Sequence, residues 1–200
     1  MVAIRDVREQ DEPGRDDVTA RLRARDALAW EHCYDQWFPR MYAYAYRRTA
    51  DRQAASDIAS DVFVHALRDI GRYEDRGLPF EAWLYRLAHD RTVDHLRRRR
   101  RHTTVRLEAA ANHGVDDGAE ERAGQQAMLD AIQRLSEDQQ AVVLLRFYEG
   151  LSGETVAEIL GKSPGAVRAL QFRALRQLRG VLSEAGDELG VERDRQHVRG

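Results

Sequence analysis

The stretch from Phe80 to Arg101, FEAWLYRLAHDRTVDHLRRRRR, most narrows what this chain can fold into. Pro79 precedes it and suits the entry to a helix. Phe80, Trp83, Leu84, Leu87 and Ala88 recur at helical spacing and make an apolar stripe that has to be buried on other helices. The opposite side carries Arg86, His89, Asp90 and Arg91, and the segment ends in Arg97, Arg98, Arg99, Arg100 and Arg101. An ordinary buried helix has no use for such an ending. A helix laid against a polyanion has, because each guanidinium can bond a phosphate and release condensed counterions. Trp83 and Tyr85 stand beside this track; aromatic planes next to polar groups are what unpaired bases stack on, although Trp83 itself fits core packing better.

A formal net charge of −2 would pass for a protein with no interest in nucleic acid. The charge is segregated, however. Acids crowd Asp6 to Asp17 and Asp116 to Glu121, while bases crowd Arg97 to Arg101 and the acid-free run from Lys162 to Arg179. The single cysteine, Cys33, excludes an intrachain disulfide and a Cys-rich zinc site. It lies among Trp30, Tyr34, Trp37 and Phe38 and reads as a small core hydrophobe in a reducing, cytoplasmic setting. No apolar run approaches the roughly 20 residues of a membrane span, and the N-terminus has no signal-peptide core.

Taken in order, the chain reads as all-α: two small helical domains joined by a flexible acidic linker, the second containing a helix-turn-helix. Residues 1–18 form an acidic tail with the composition of disorder. Residues 19–101 form the first domain, with one helix from Val18 to Thr49, a second from Arg52 to Asp69, and the arginine-ended helix. The second helix carries Asp57 and Asp61 one turn apart on its outer side. Residues 102–126, with Asn112-His113-Gly114, Asp116-Asp117-Gly118 and Gly124 and few large apolar groups, form the linker. A coil of about 24 residues has a root-mean-square span of roughly 25–30 Å and a stretched reach on the order of 80 Å, enough to place the halves on DNA sites several helical turns apart.

Residues 127–182 form the second domain and 183–200 a tail without a motif. Ser136-Glu137-Asp138-Gln139 has the spacing of a capping box, Ser152 caps the next helix, and Gly161 ends it. Ser163-Pro164 then opens the last helix with a cap and a proline at the first helical position. Helix, glycine turn, helix is the geometry in which the second helix enters the major groove with its N-terminal residues nearest the bases. That end presents Ser163, Gly165, Arg168 and Gln171, with Lys162, Arg173, Arg176 and Arg179 in reach of phosphates. Ala166, Val167, Leu170, Ala174, Leu175 and Leu178 are its buried side.

Over about residues 28–182, the order of these segments resembles the extracytoplasmic-function (ECF) group of bacterial RNA polymerase sigma factors, of the sigma-70 family. The matching stretches are YDQWFPRMYAYAYRRT (34–49), ASDIASDVFVHAL (55–67), PFEAWLYRLAHDRTVDHLRRRRR (79–101) and the run from Arg134 to Arg179. The resemblance implies a non-enzymatic subunit, without metal or other cofactor, that directs core polymerase to promoters and promotes melting. Its implied partners are the polymerase (clamp of the largest subunit, and flap), promoter DNA, and an anti-sigma factor. Asp57, Ile58, Asp61 and Val62 fall where relatives dock on the clamp. Arg72, Arg86, His89, Asp90, Arg91 and the five arginines fall where relatives capture the minus-ten element. Lys162, Ser163, Pro164, Gly165, Arg168, Gln171, Phe172, Arg173 and Arg176 fall where they read the minus-thirty-five element as duplex.

The chain departs from the pattern at three places. Asp90 stands where an asparagine is frequent, Ala169-Leu170 replace a frequent Ser-Arg pair, and Ser60 replaces a common glutamine. Promoter preference therefore cannot be copied from relatives. Two other readings explain less. A stand-alone helix-turn-helix regulator leaves the acidic helix and the arginine-ended helix without purpose. A metal-dependent phosphohydrolase built on His89-Asp90 and Asp94-His95 fails on phase, because His89 and His95 lie about 120° apart around a helix.

Overall fold

The computed structural model describes residues 15–74, 78–103 and 119–197. The N-terminal tail up to residue 14 and the middle of the linker, residues 104–118, lie outside the described residues. Where the pattern reads one helix from Val18 to Thr49, the chain forms two, α1 (Arg15–Arg23) and α2 (Ala27–Thr49). Asp26 makes the break. Its backbone is extended and its carboxylate accepts from the N–H groups of Leu28 (3.0 Å) and Ala29 (3.2 Å), while Arg25 takes a left-handed φ of 58°. Arg21 Nε donates to the same carboxylate at 2.8 Å, and Trp30 Nε1 donates to the Leu22 carbonyl at 3.0 Å, which folds α1 back onto α2. Asp51 caps α3 (Arg52–Asp69) in the same way, accepting from Ala54 N at 3.0 Å. A single tight turn, Ile70–Arg72, leads toward α4 (Phe80–Thr103).

In the first half, α2, α3 and α4 pack mutually. Their contact is lined by alanines without solvent exposure, Ala45, Ala55, Ala59, Ala66, Ala82 and Ala88, which let the helix axes come close. Met41, Tyr44, Val62, Leu84 and Tyr85 fill the remaining volume. Each large apolar side chain so buried contributes about 1.5–3 kcal/mol relative to exposure.

The second half comprises α5 (Ala119–Gln133), α6 (Glu137–Val143) widening into a π-type turn over Leu144–Tyr148, α7 (Gly153–Leu160) and α8 (Pro164–His197). The capping box forms as the spacing predicts: Gln139 N donates to Ser136 Oγ at 3.4 Å, and Ser136 N to Gln139 Oε1 at 2.9 Å. Two boundaries differ from the pattern. Helix α5 starts at Ala119, well inside the segment read as linker, because Ala119-Glu120-Glu121 places acids against a helix N-terminus and only Gly124 opposes the following turn. Helix α8 runs on to His197, past the expected end at 182, because no proline or cap interrupts it.

The two halves are not held apart. One cluster of buried apolar side chains contains Leu84 and Ala88 of α4 together with Val156 and Ile159 of α7, and α4 packs directly on α7. Polar contacts frame this seam. Tyr85 donates its hydroxyl to Glu149, Arg100 Nη2 lies 2.9 Å from Glu137 Oε1, and Gln133 Nε2 donates to the Arg47 carbonyl at 2.5 Å. The Arg47 guanidinium sits 4.3 Å over the ring of Tyr148.

At the centre of the seam is Arg48, only 1% exposed, whose Nη2 donates to the Glu137 carbonyl at 3.4 Å. Its Nη1 lies 3.1 Å from His89 Nδ1 and donates to the Tyr44 hydroxyl at 3.2 Å. A guanidinium only donates, so His89 Nδ1 accepts and the ring proton sits on Nε2. Burial first, then the Arg48 charge, hold the His89 imidazole down from 6.5 to about 4; Lys162 acts in the same direction and Asp138 against it. A base depressed in this way stabilises the fold above pH 6.5, and the contribution is lost as pH falls toward 4. Between pH 7 and pH 5 the chain is expected to lose about 2 kcal/mol more unfolding free energy than its His89→Gln variant, measured by urea denaturation at each pH. Parallel pH dependences of the two proteins would show that His89 stays protonated or solvated.

Candidate nucleic-acid interface

Helix α4 presents three faces. The first is buried among α2 and α3, and the second meets the second half of the chain through Tyr85, which donates to Glu149, with His89 beside it bonded to Arg48 and Tyr44 of α2. The third carries Arg86, Asp90, Asp94, Arg97 and Arg101, spaced so that they form one exposed stripe. Arg98 flanks it, also exposed. Arg99 donates from Nη1 to the Thr49 carbonyl at 3.4 Å, and Arg100 is held by Glu137. Five consecutive arginines thus point around the helix, and three of them, 97, 98 and 101, stand clear of these bonds.

The residues expected at the minus-ten surface do not all come together. His89 turns into the seam against Arg48 and Tyr44. Arg91 turns toward α3, with Nε 3.7 Å from Asp61 Oδ2. Arg72, with its side chain 90% exposed, stands on the turn after α3, its Nη1 4.0 Å from Asp69 Oδ1. Partial burial pushes the Asp90 carboxyl above its ordinary value, opposed by the positive charges of Arg86 and Arg91.

Neither aromatic candidate is a free stacking plane. Tyr85 is buried, and burial together with the Glu149 carboxylate drives its hydroxyl pKa far upward, so it remains a donor. Trp83 packs in a three-ring cluster, 5.1 Å from Tyr73 and 5.7 Å from Phe80, that anchors the start of α4 to the turn before it. Arg48 is the residue whose importance the sequence reading missed. A signal was present: Arg48 continues the spacing of Met41 and Tyr44 and so falls on the buried side of α2.

On α3, Asp57 is exposed and accepts from Gln53 Nε2 at 2.9 Å. Asp61 is half-exposed, between His65 (3.3 Å) and Arg91. Ile58 and Val62, grouped with them above as partner-binding, are in the core, so they fix the two carboxylates in place and cannot themselves meet a partner on this surface. Beside them lies an apolar patch, in which Tyr34 stacks 4.7 Å from Phe38 and meets Phe63 at a tilt, 4.9 Å away, with Val64 and Leu67 exposed nearby on α3.

The helix-turn-helix forms from α7 and α8. Gly161 takes φ 61°, and Lys162 N donates back to the Ala157 carbonyl at 2.9 Å, closing α7. Ser163 Oγ accepts from Ala166 N at 3.2 Å and starts α8. Val167, Leu170, Ala174 and Leu178 anchor α8, whereas Ala166, expected on the buried side, is exposed in its first turn. Pro164, Gly165, Arg168, Phe172, Arg173 and Arg176 share the exposed side, with Phe172 70% exposed. Two of the expected contact residues are engaged elsewhere: Lys162 pairs with Asp138 at 2.8 Å, and Gln171 Oε1 accepts from Arg146 Nε at 3.4 Å. Among the described residues there is no group of His, Cys, Asp or Glu side chains arranged to hold a metal ion, and no helix long and apolar enough to cross a membrane.

Residues 33–102 match the sigma-70 region 2 family and residues 125–178 the sigma-70 region 4 family. The chain is 35% identical over 177 residues to the ECF RNA polymerase sigma factor BldN of Streptomyces coelicolor, a match covering 84% of this chain and 66% of that protein. It is 31% identical over 183 residues to the ECF sigma factor SigD of Mycobacterium tuberculosis, covering 86% of this chain and 85% of SigD. Two solved structures share the fold. The sigma factor RpoE, in complex with the anti-sigma factor NepR from Bartonella quintana, superposes with a TM-score of 0.65 at 24% identity, over 76% of this chain and 96% of that one. CnrH in complex with the cytosolic domain of CnrY gives a TM-score of 0.67 at 21% identity, over 84% and 96%. With an acidic helix, an arginine-ended helix and a helix-turn-helix occurring in this order inside the two matched regions, the chain belongs to the ECF RNA polymerase sigma factors.

Proposed function

We propose that the chain is the promoter-specificity subunit of an RNA polymerase, and that its α4 stripe and its α8 N-terminus read the minus-ten and minus-thirty-five elements. The observation that carries this is the presence, on one chain, of two separate exposed basic surfaces with different geometry. The stripe Arg86–Asp90–Asp94–Arg97–Arg101 offers guanidinium groups to a backbone and carboxylates to base edges, which suits an opened strand. The side of α8 bearing Arg168, Phe172, Arg173 and Arg176 follows a capped turn, which suits a duplex major groove. Asp57 and Asp61, held by the buried Ile58 and Val62, offer carboxylates one turn apart to a basic helical surface, here assigned to the clamp of the polymerase largest subunit, with the second half on the flap. The subunit has no catalytic chemistry of its own in this reading and works in the cytoplasm, where the polymerase is.

An anti-sigma factor belongs to the same proposal. RpoE and CnrH, whose fold this chain shares, were each solved with a protein partner, in RpoE's case an anti-sigma factor. A partner of that kind would compete for the surfaces named above. The role is tested by run-off transcription with purified core polymerase: promoter-dependent transcripts are expected only when the chain is added, and a chain that neither binds core nor yields a transcript would contradict it.

Replacing Arg97 through Arg101 by alanine is expected to weaken promoter binding across sequences and to reduce the log–log salt slope by about 2 to 4, since each lost phosphate contact removes roughly 0.7–0.9. An unchanged slope would remove these arginines from the DNA. Asp90→Asn is expected to change the preferred base at one minus-ten position, by about 1–3 kcal/mol of discrimination, with overall affinity nearly kept. Selection from a randomised minus-ten element reads this directly, and an unaltered preference would exclude Asp90 from base contact.

A further inference from the structure

Helix α1 ends against the turn that leads toward α4, and three consecutive residues make the join. Arg21 Nε donates to the Asp26 carboxylate at 2.8 Å, and the buried Leu22 accepts at its carbonyl from Trp30 Nε1 at 3.0 Å. Arg23 reaches the other way. Its Nη2 donates to the Tyr73 carbonyl at 2.6 Å, and its guanidinium lies 5.9 Å from the centre of the Tyr73 ring. Tyr73 is thereby held at its N–H, carbonyl, hydroxyl and ring. The N–H donates to the Ile70 carbonyl at 3.2 Å and the hydroxyl to the Leu78 carbonyl at 2.9 Å, while the ring packs on Phe80 and Trp83.

We propose that Arg23 and Tyr73 are positioning residues for minus-ten reading: α1, through Arg23, pins Tyr73, and Tyr73 sets the first turn of the helix that carries Arg86 and Asp90. The start of α4 needs such a pin. Asp26, Asp51, Ser136, Ser152 and Ser163 cap α2, α3, α6, α7 and α8 with a side-chain oxygen, whereas Pro79, which precedes Phe80, has no side-chain acceptor. The Tyr73–Phe80–Trp83 rings and the bond to Leu78 take that place, and the helical ladder begins with Trp83 N donating to the Pro79 carbonyl at 3.0 Å. At about 1.5 Å per residue, Asp90 lies only ~15 Å from Phe80 along the axis. A tilt of about 4° at the first turn therefore moves Asp90 by about 1 Å, enough to take a hydrogen bond to a base edge out of its normal range. Arg72, exposed on the turn, is the neighbour of the pinned residue and moves with it. The pin comes from outside the segment matched as region 2, which begins at residue 33.

The effect on specificity rests on the promoter-reading role proposed above; the pin itself is tested without DNA. Arg23 is an exposed residue, so Arg23→Ala is expected to leave the fold in place. In the free chain, amide exchange at Trp83, followed by NMR, is expected to quicken at least fivefold in Arg23→Ala. Arg23→Lys, which keeps a cationic donor, is expected to restore the slower rate. Tyr73→Phe, which removes only the hydroxyl bond to Leu78, is expected to quicken the same amide. Holoenzyme carrying Arg23→Ala is then made to select from a randomised minus-ten element. Enrichment of the preferred base is expected to fall at least fivefold at one or more positions, with the minus-thirty-five preference unchanged and Arg23→Lys restoring the original one. Unchanged exchange at Trp83 would overturn the pin. Quicker exchange with an unaltered minus-ten preference, or with yield lowered alike on every sequence, would overturn the positioning role. An unaltered holoenzyme that gives no promoter-dependent transcript would instead overturn the promoter-reading role, whatever the exchange result.

Discussion

The structure depends on one helix being shared three ways. Helix α4 puts Leu84 and Ala88 into the core that both halves share, sends Tyr85 to Glu149 of the second half with His89 beside it against α2, and leaves its Arg86 to Arg101 stripe to solvent. None of these faces can be altered without consequence for the others, because a helix rotates as a rigid rod. Burial of the first face sets the azimuth of the stripe, and the seam on the second sets whether His89 is a base-facing group or a packing group. Arg97 and Arg101 give the third face positive charge that a polyanion would meet.

Much of this was legible in the residues. The apolar spacing of α3 and α4, the Ser136 capping box, the Ser152 and Ser163 caps and the Gly161 stop are local devices, in which a side chain satisfies backbone groups a few residues away. Local causes leave local patterns. The break at Arg25 was not legible, because Asp26 can sit in a helix or cap one, and the choice is made by Arg21 and by Trp30 reaching the Leu22 carbonyl. The early start of α5 and the length of α8 escaped for a related reason: their sequences are permissive for helix and carry no stop, so composition alone did not fix the ends.

The candidate site was legible as a set of residue types, less so as a surface. Spacing placed Arg86 and Asp90 with Arg97 and Arg101, and they share a stripe. It also grouped His89 and Arg91 with them, and packing took each elsewhere, His89 to Arg48 and Arg91 to Asp61. The seam itself leaves no mark in periodicity, since Glu137, Glu149 and Gln133 read as ordinary solvated residues until the other half of the chain lies against them. Charge segregation carries into the fold in part: Arg97, Arg98 and Arg101 of the first basic run and Arg168, Arg173, Arg176 and Arg179 of the second are exposed, while acids of the second half hold Tyr85 and Arg100 of the first.

The account turns on two exposed basic surfaces, one on each half of the chain, that are proposed to read two separate promoter elements. Photocrosslinkers placed at Arg86 and at Phe172, in polymerase assembled on one promoter, test this most directly. Crosslinks from Phe172 to duplex more than two helical turns upstream of those from Arg86 are predicted; crosslinks from both positions within a single turn, or none from Phe172, would contradict it.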